Sequence, residues 1–258
     1  MLSKFMGKFK KMTLALMLVT GIIVLSSGVQ AQMSGEEIIK KVDETLTSSS
    51  RESQITMTIV NENGQKRVRT IKLLSKEEGK GLVEFLEPAD VKGTSFLTVE
   101  EKGEENMWLF LPAVGNVRRI ASHMRNGSFM GTDFTYNDMS LYKDKYKTEL
   151  IKEDEFEDSS CFFLKSVPTE ADIQYSFMEM WVRKSDFMPL QLKFYDKAEN
   201  LLKVMDNNNI EKINGHLTPR EIIMENIQEG TKTILELKEI EFNKDLPDNL
   251  FTTRNMRR

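Results

Sequence analysis

The chain has one cysteine in 258 residues, Cys161, and two histidines, His123 and His216. A single thiol excludes an internal disulfide framework and a multi-cysteine zinc site. Neither histidine stands in a metal-binding spacing such as H-E-x-x-H, and His123 lies among basic residues. Phosphate-cradling loops of the G-x-x-x-x-G-K-[ST] or G-x-G-x-x-G kind are missing as well. Asn126-Gly127-Ser128-Phe129-Met130-Gly131 departs from the G-x-S-x-G spacing of a nucleophile elbow. Asp133, Asp138 and Asp144 lack the spacing of a calcium loop. Cys161 sits in an apolar run, which suits an inert buried thiol better than a nucleophile. No catalytic residue, metal or cofactor can be assigned, and the chain reads as a non-enzyme.

Basic charge is also scarce once the first 31 residues are set aside. That stretch carries Lys4, Lys8, Lys10 and Lys11 and no acid, so residues 32–258 hold 32 basic and 40 acidic groups, a net of −8. Such a body is a poor nucleic-acid binder, because that task needs cations to neutralise phosphates. The leading lysines precede an uncharged, mostly apolar run of 14 residues, Met12–Leu25. Ser26, Ser27 and Gly28 follow, and Val29-Gln30-Ala31 ends on a small residue. This is the form of a signal peptide cleaved after Ala31. The run is short for a bilayer crossing, which takes about 20 apolar residues, so an uncleaved anchor is the weaker alternative. No cysteine follows the run to carry a lipid anchor. The expected product is an exported, periplasmic protein with one domain over residues 32–258.

One strong helix signal opens that region. Ser34 with Glu37 three residues on has the capping-box form, and Ile38, Ile39, Val42 and Leu46 recur at helical spacing. The Ser48-Ser49-Ser50 run ends it. From Glu52 onward strand follows strand. Ile55, Met57 and Ile59 alternate with Gln54, Thr56 and Thr58, and the turn Asn61-Glu62-Asn63-Gly64 leads into a second run over Gln65–Ser75. Further runs recur about every 10 residues, which points to one antiparallel sheet or barrel rather than βαβ units.

Several of these strands are apolar on both faces. Phe177 and Trp181 alternate with Met178, Met180 and Val182, and Phe162 and Leu164 with Cys161, Phe163 and Val167. Strands of that kind must be covered on both sides. Either the sheet curls into a packed barrel core, or an apolar inner face is left for a ligand. Residues 106–132 form a contrasting island with no acid, carrying Arg118, Arg119 and Arg125 on expected loops beside the acidic run 100–105. The arginines either pair with neighbouring carboxylates or flank a mouth that meets anionic head groups.

Specific segments then carry a resemblance. These are Glu87-Pro88-Ala89-Asp90-Val91-Lys92-Gly93-Thr94-Ser95-Phe96-Leu97, Trp108-Leu109-Phe110-Leu111-Pro112, Val117-Arg118-Arg119-Ile120, Ser128-Phe129-Met130-Gly131-Thr132-Asp133-Phe134 and Leu246-Pro247-Asp248-Asn249-Leu250-Phe251. Together they resemble the LolA-like outer-membrane lipoprotein-sorting proteins, over essentially all of residues 32–258. The resemblance implies an incomplete, half-open antiparallel β-barrel of about 10–12 strands. An N-terminal helix and short helical lid segments would close it. It also implies a carrier of lipoprotein acyl chains or lipid, monomeric, in transient contact with the membrane, with an inner-membrane transporter as donor and an outer-membrane acceptor. A fixed lipid- or partner-binding module of an envelope complex is the alternative. On this reading Phe85, Phe96, Trp108, Phe110 and Trp181 contribute to an acyl-binding interior, with Phe129 and Phe134 near its edge. Arg118, Arg119 and Arg125 would contact head groups or a partner.

The N-terminal pattern makes its own prediction. N-terminal sequencing of the protein from its native envelope is expected to begin at Gln32, and recovery of Met1 there would contradict it.

Overall fold

The computed structural model describes residues 33–77, 79–139 and 145–257, so the expected signal segment lies outside the described residues. Its helix α1 (Gly35–Leu46) starts as its sequence dictates. The Ser34 hydroxyl accepts from the Glu37 amide at 3.2 Å, and the Glu37 carboxylate accepts from the Ser34 amide at 2.7 Å. That reciprocal cap holds the Glu37 carboxyl below its usual pKa, chiefly through the Ser34 amide. Ile38 and Val42 are buried, but Leu46 is 44% exposed and drops out of the apolar stripe. The helix begins where backbone meets backbone: a Cβ on Gly35 would lie 2.5 Å from the Thr148 carbonyl oxygen, so only glycine fits.

Thirteen strands follow, slightly more than the sequence suggests, because the three-residue Val117–Arg119 strand reads as loop. They are β1 (Ser50–Val60), β2 (Lys66–Lys76), β3 (Lys80–Glu87), β4 (Ser95–Glu101), β5 (Glu104–Phe110) and β6 (Val117–Arg119). After a long connection come β7 (Tyr146–Phe156), β8 (Ser159–Pro168), β9 (Phe177–Arg183), β10 (Pro189–Tyr195), β11 (Leu201–Ile213), β12 (His216–Asn226) and β13 (Thr231–Phe242). All pair antiparallel in one sheet of order β6-β5-β4-β3-β2-β1-β13-β12-β11-β10-β9-β8-β7. Two hairpin meanders are thus joined by the β1–β13 ladder, with Met57 opposite Leu235. The two edges, β6 and β7, do not pair with each other, so the barrel is left open.

One buried cluster contains Val83, Phe85, Phe96 and Met107 from β3–β5 together with Leu164, Met180 and Leu192 from β8–β10. Strands far apart in the order share a core, so the sheet curls around one inner face. The apolar residues of the opposite parity lie outside, as the two-faced strands require. Leu74, Leu82, Leu97 and Val99 are covered there by the C-terminal residues Leu246, Phe251 and Met256. Cys161, Met188 and Leu190 form a second outer cluster, and burial pushes the Cys161 thiol pKa up, keeping it protonated. Among the described residues no helix is long and apolar enough to cross a membrane.

Helix α1 contributes Ile38 and Val42 to the inner core, so its docking is testable. Replacing both by Asp is expected to lower stability by about 5 kcal/mol or more, since two buried side chains are lost and two charges are desolvated. Thermal or urea unfolding of the double variant checks this, and unchanged melting would show that α1 does not dock.

Candidate functional site

The sheet order places β6 and β7 at opposite edges, and the chain joining them packs on the inner face. What it carries there is a miniature hairpin. Ser128 bridges Thr135, and the Phe129 amide donates to the Phe134 carbonyl at 2.7 Å. Its turn places Met130 and Gly131 at φ 53° and 74°, and the Thr132 amide closes onto the Phe129 carbonyl at 3.0 Å. Two successive positive φ values are the signature of a tight primed turn, which favours glycine at the second position. The hairpin drives Phe129 into the interior, with its ring centroid 6.1 Å from Phe85, 5.1 Å from Phe96 and 5.6 Å from Tyr136. The inner face is therefore filled by a plug from the protein's own chain.

Polar contacts hold the plug. The Arg69 guanidinium, buried on β2, donates to the Met130 carbonyl at 2.7 Å. The Asp133 carboxylate accepts from the hydroxyls of Thr231 and Thr233 on β13, the latter at 2.7 Å. The Asp133 amide in turn donates to the Thr233 hydroxyl at 2.9 Å. Lys203 on β11 donates to the Asp133 carbonyl at 2.6 Å and sits 3.4 Å from the Asp138 carboxylate. Tyr175 donates to the same carboxylate at 2.9 Å. Burial first, and the Asp138 charge second, hold the Tyr175 phenol well above its usual pKa, so it remains a donor. A pocket of about 300 Å³ opens beside this network, between Arg67, Asp133, Lys203, Asn226 and Thr231. Its walls are mixed, with Ile59, Val60, Phe134 and Leu202 beside those polar groups.

Part of the apolar inner face is left incompletely covered along the central strands. Ile55 of β1, Leu73 of β2, Ile222 of β12 and Leu235 of β13 pack on the core yet stay partly exposed. They stand on the four neighbouring strands β2-β1-β13-β12 and make a partly exposed apolar furrow across them. None of them stands out in the sequence, because an aliphatic residue on the apolar parity of a strand looks the same whether its face is filled or open.

The residues expected at the site are divided by strand parity. Phe85, Phe96, Phe129 and Phe134 share the inner cluster. Trp108 and Phe110 lie on the outer face of β5 against the C-terminal residues, and Trp181 lies on the outer face of β9, 4.6 Å from the Phe163 ring. Those three therefore do not line the interior: alternation along β5 gives the inner side to Met107 and Leu109. Arg118 and Arg119 lie on edge strand β6 rather than on a loop, and Arg119 donates to the Asn106 side chain at 2.5 Å. Arg125 is held by Glu105, donating to its carbonyl at 2.7 Å with the carboxylate at 3.6 Å. Among the described residues no group of three or more His, Cys, Asp or Glu side chains could hold a metal ion.

A curled open antiparallel sheet with a helix and a plug on its inner face defines the class of fold, and comparison with known proteins narrows it. A family model described as "Uncharacterized protein" matches residues 77–258. No curated protein matches the sequence. Among solved structures, an outer membrane lipoprotein-sorting protein domain from Vibrio parahaemolyticus is 30% identical, with a TM-score of 0.83 and coverage of 87% of this chain and 98% of that one. A DUF1329 family protein from Desulfovibrio piger is 29% identical, with a TM-score of 0.81 and coverage of 86% and 97%. A LolA superfamily protein from Nitrosomonas europaea shares the fold at 23% identity, with a TM-score of 0.72 and coverage of 87% and 100%. The chain belongs to the LolA-like family of outer-membrane lipoprotein-sorting proteins. As a member of that family it is not an enzyme.

The plug's anchorage yields a prediction. Thr233→Val keeps the shape of a fully buried side chain but removes the hydroxyl that serves both the amide and the carboxylate of Asp133. It is expected to cost about 1–3 kcal/mol. Hydrogen exchange of residues 128–135 should rise well beyond that of the core strands. Uniform exchange across the two would show that the plug opens only with global unfolding.

Proposed function

We propose that residues 32–258 form one domain of an exported, periplasmic carrier. It binds the acyl chains of lipoproteins or lipids on the inner face of the sheet and takes part in sorting to the outer membrane. The observation that carries this reading is the furrow of Ile55, Leu73, Ile222 and Leu235, partly exposed beside a plug made of the protein's own chain. A folded monomer gains nothing from leaving aliphatic side chains half open in its interior, whereas a carrier needs a face that cargo can enter. The similarity to the Vibrio parahaemolyticus lipoprotein-sorting domain supports the same reading.

Magnitudes favour a plug that yields to cargo. Each buried CH₂ is worth about 0.8 kcal/mol, so one long acyl chain withdrawn from water gains roughly 10 kcal/mol. The hydrogen bonds from Arg69, Thr231, Thr233 and Lys203 that hold the plug are worth about 1 kcal/mol each net, somewhat more where charge is involved. Cargo that buries more apolar surface than Phe129 and Phe134 do can displace them and take their place against Phe85 and Phe96. Without cargo the plug covers the same surface, which keeps the empty protein from exposing an apolar patch. Arg118 and Arg119, exposed on β6, are positioned to meet anionic head groups or an acidic partner, whereas Arg125 is engaged by Glu105.

Protein purified without detergent and extracted into organic solvent is expected to release acyl lipid in near-stoichiometric amount, identified by mass spectrometry. Ile222→Glu with Leu235→Glu, both at partly exposed positions, should fold and lose most of that lipid. Wild-type protein that yields no lipid and takes up none from vesicles would refute the carrier reading.

A further inference from the structure

Arg51 occupies an unusual position at the end of the furrow. Strand alternation puts it on the same face as Ile55, Met57 and Ile59, and its register partners are Ser75 on β2 and Phe242 on β13. Phe242 stacks on His216 at 4.3 Å, closing one side. The Nε of Arg51 is shut off from solvent and has no hydrogen-bond acceptor. Among the described residues no carboxylate pairs with its guanidinium. The adjacent acid, Glu52, faces the other way and is already shared by Lys72 at 2.7 Å and Lys244 at 2.6 Å. Burial alone pulls the Arg51 pKa below its ordinary value, and no neighbouring charge offsets it. Arg69 makes a useful contrast, since its guanidinium on the same face is spent on the Met130 carbonyl.

A buried N–H without an acceptor is costly, and the planar fork of this half-buried guanidinium matches an oxyanion with two acceptor oxygens. We propose that Arg51 is an anion-binding residue for the head of an acyl ligand whose tail lies along the furrow. The ligand class is then a chain carrying an anionic head, a carboxylate or a phosphate, rather than an uncharged acyl group. This rests on the lipid-binding reading and narrows it: the missing counter-charge at Arg51 is supplied by the cargo.

The test uses delipidated protein over residues 32–258 and displacement of a fluorescent fatty-acid probe. The competitors are palmitate, methyl palmitate and palmitoyl lysophosphatidic acid. Wild type is expected to bind at least one of the two anionic ligands about tenfold or more tighter than the ester. The preferred anion identifies the head as carboxylate or phosphate. Arg51→Met should abolish that preference, leave ester binding unchanged and leave the melting temperature equal or higher. Arg51→Lys, which keeps the charge but not the fork, should retain part of it. Equal wild-type affinity for the ester and both anions overturns the Arg51 proposal while the carrier reading stands. Parallel loss of ester and anion binding in Arg51→Met, with a lower melting temperature, also overturns it and makes the residue structural. Failure of wild type to bind any of the three defeats the carrier reading itself.

Discussion

The β1–β13 ladder is the contact on which the remaining architecture depends. Each other neighbouring pair in the sheet is a local hairpin, joined by a turn that keeps partners close in sequence. Only β1 and β13 pair across most of the chain, with Arg51 opposite Phe242 and Val60 opposite Lys232. Closing so long a loop is entropically costly, and the ladder offsets that cost with backbone hydrogen bonds and with Met57 and Leu235 facing each other on the apolar side. Once this pair forms, β6 and β7 become the two edges. The connection between them packs Phe129 and Phe134 on the inner face, and so supplies the plug.

The inner face is thus occupied in a particular way. An apolar hairpin tip contributes dispersion and burial through Phe129, while its backbone and Asp133 are tied to β2, β11 and β13 by side chains with charges or hydroxyls. The two contributions differ in kind. The contacts of Phe129 carry no directional demand, since dispersion and hydrophobic burial depend on area. The hydrogen bonds of Asp133 do, and they fix where the plug sits. Lys203, Asp138 and Tyr175 remain mutually satisfied near that anchor, and a buried pair of this kind is tolerable only because every member has a partner.

Local sequence features carried over well into the structure. The Ser34–Glu37 capping box marked the helix start, because a cap involves residues three apart and needs nothing from the rest of the chain. The Asn61–Gly64 turn and the two-faced β8 and β9 followed from equally short-range rules. Of the candidate ligand residues, the four phenylalanines that reach the inner cluster could not be told from the three aromatics on the outer face. Leu109 and Trp108 are neighbours of similar apolarity, and only the register of β5 against β4 decides which one faces inward. A usable signal did exist for two inward-facing cations. Arg51 and Arg69 each sit on the parity of Ile55 or Ile71, and a charge on the apolar side of an alternating strand requires an explanation that its exposed neighbours do not.

By itself the sequence determined the class of fold. A capped helix followed by short alternating strands at regular spacing points to one antiparallel sheet or barrel whose two-faced strands are covered on both sides, and those rules act between residues a few positions apart. It also settled the acidic character of residues 32–258, since charge is additive and independent of conformation. The plug, the furrow and the unpaired Arg51 were decided by tertiary structure alone. Each depends on which strands become neighbours across the β1–β13 ladder, and that pairing joins residues nearly two hundred positions apart, beyond the reach of any local pattern.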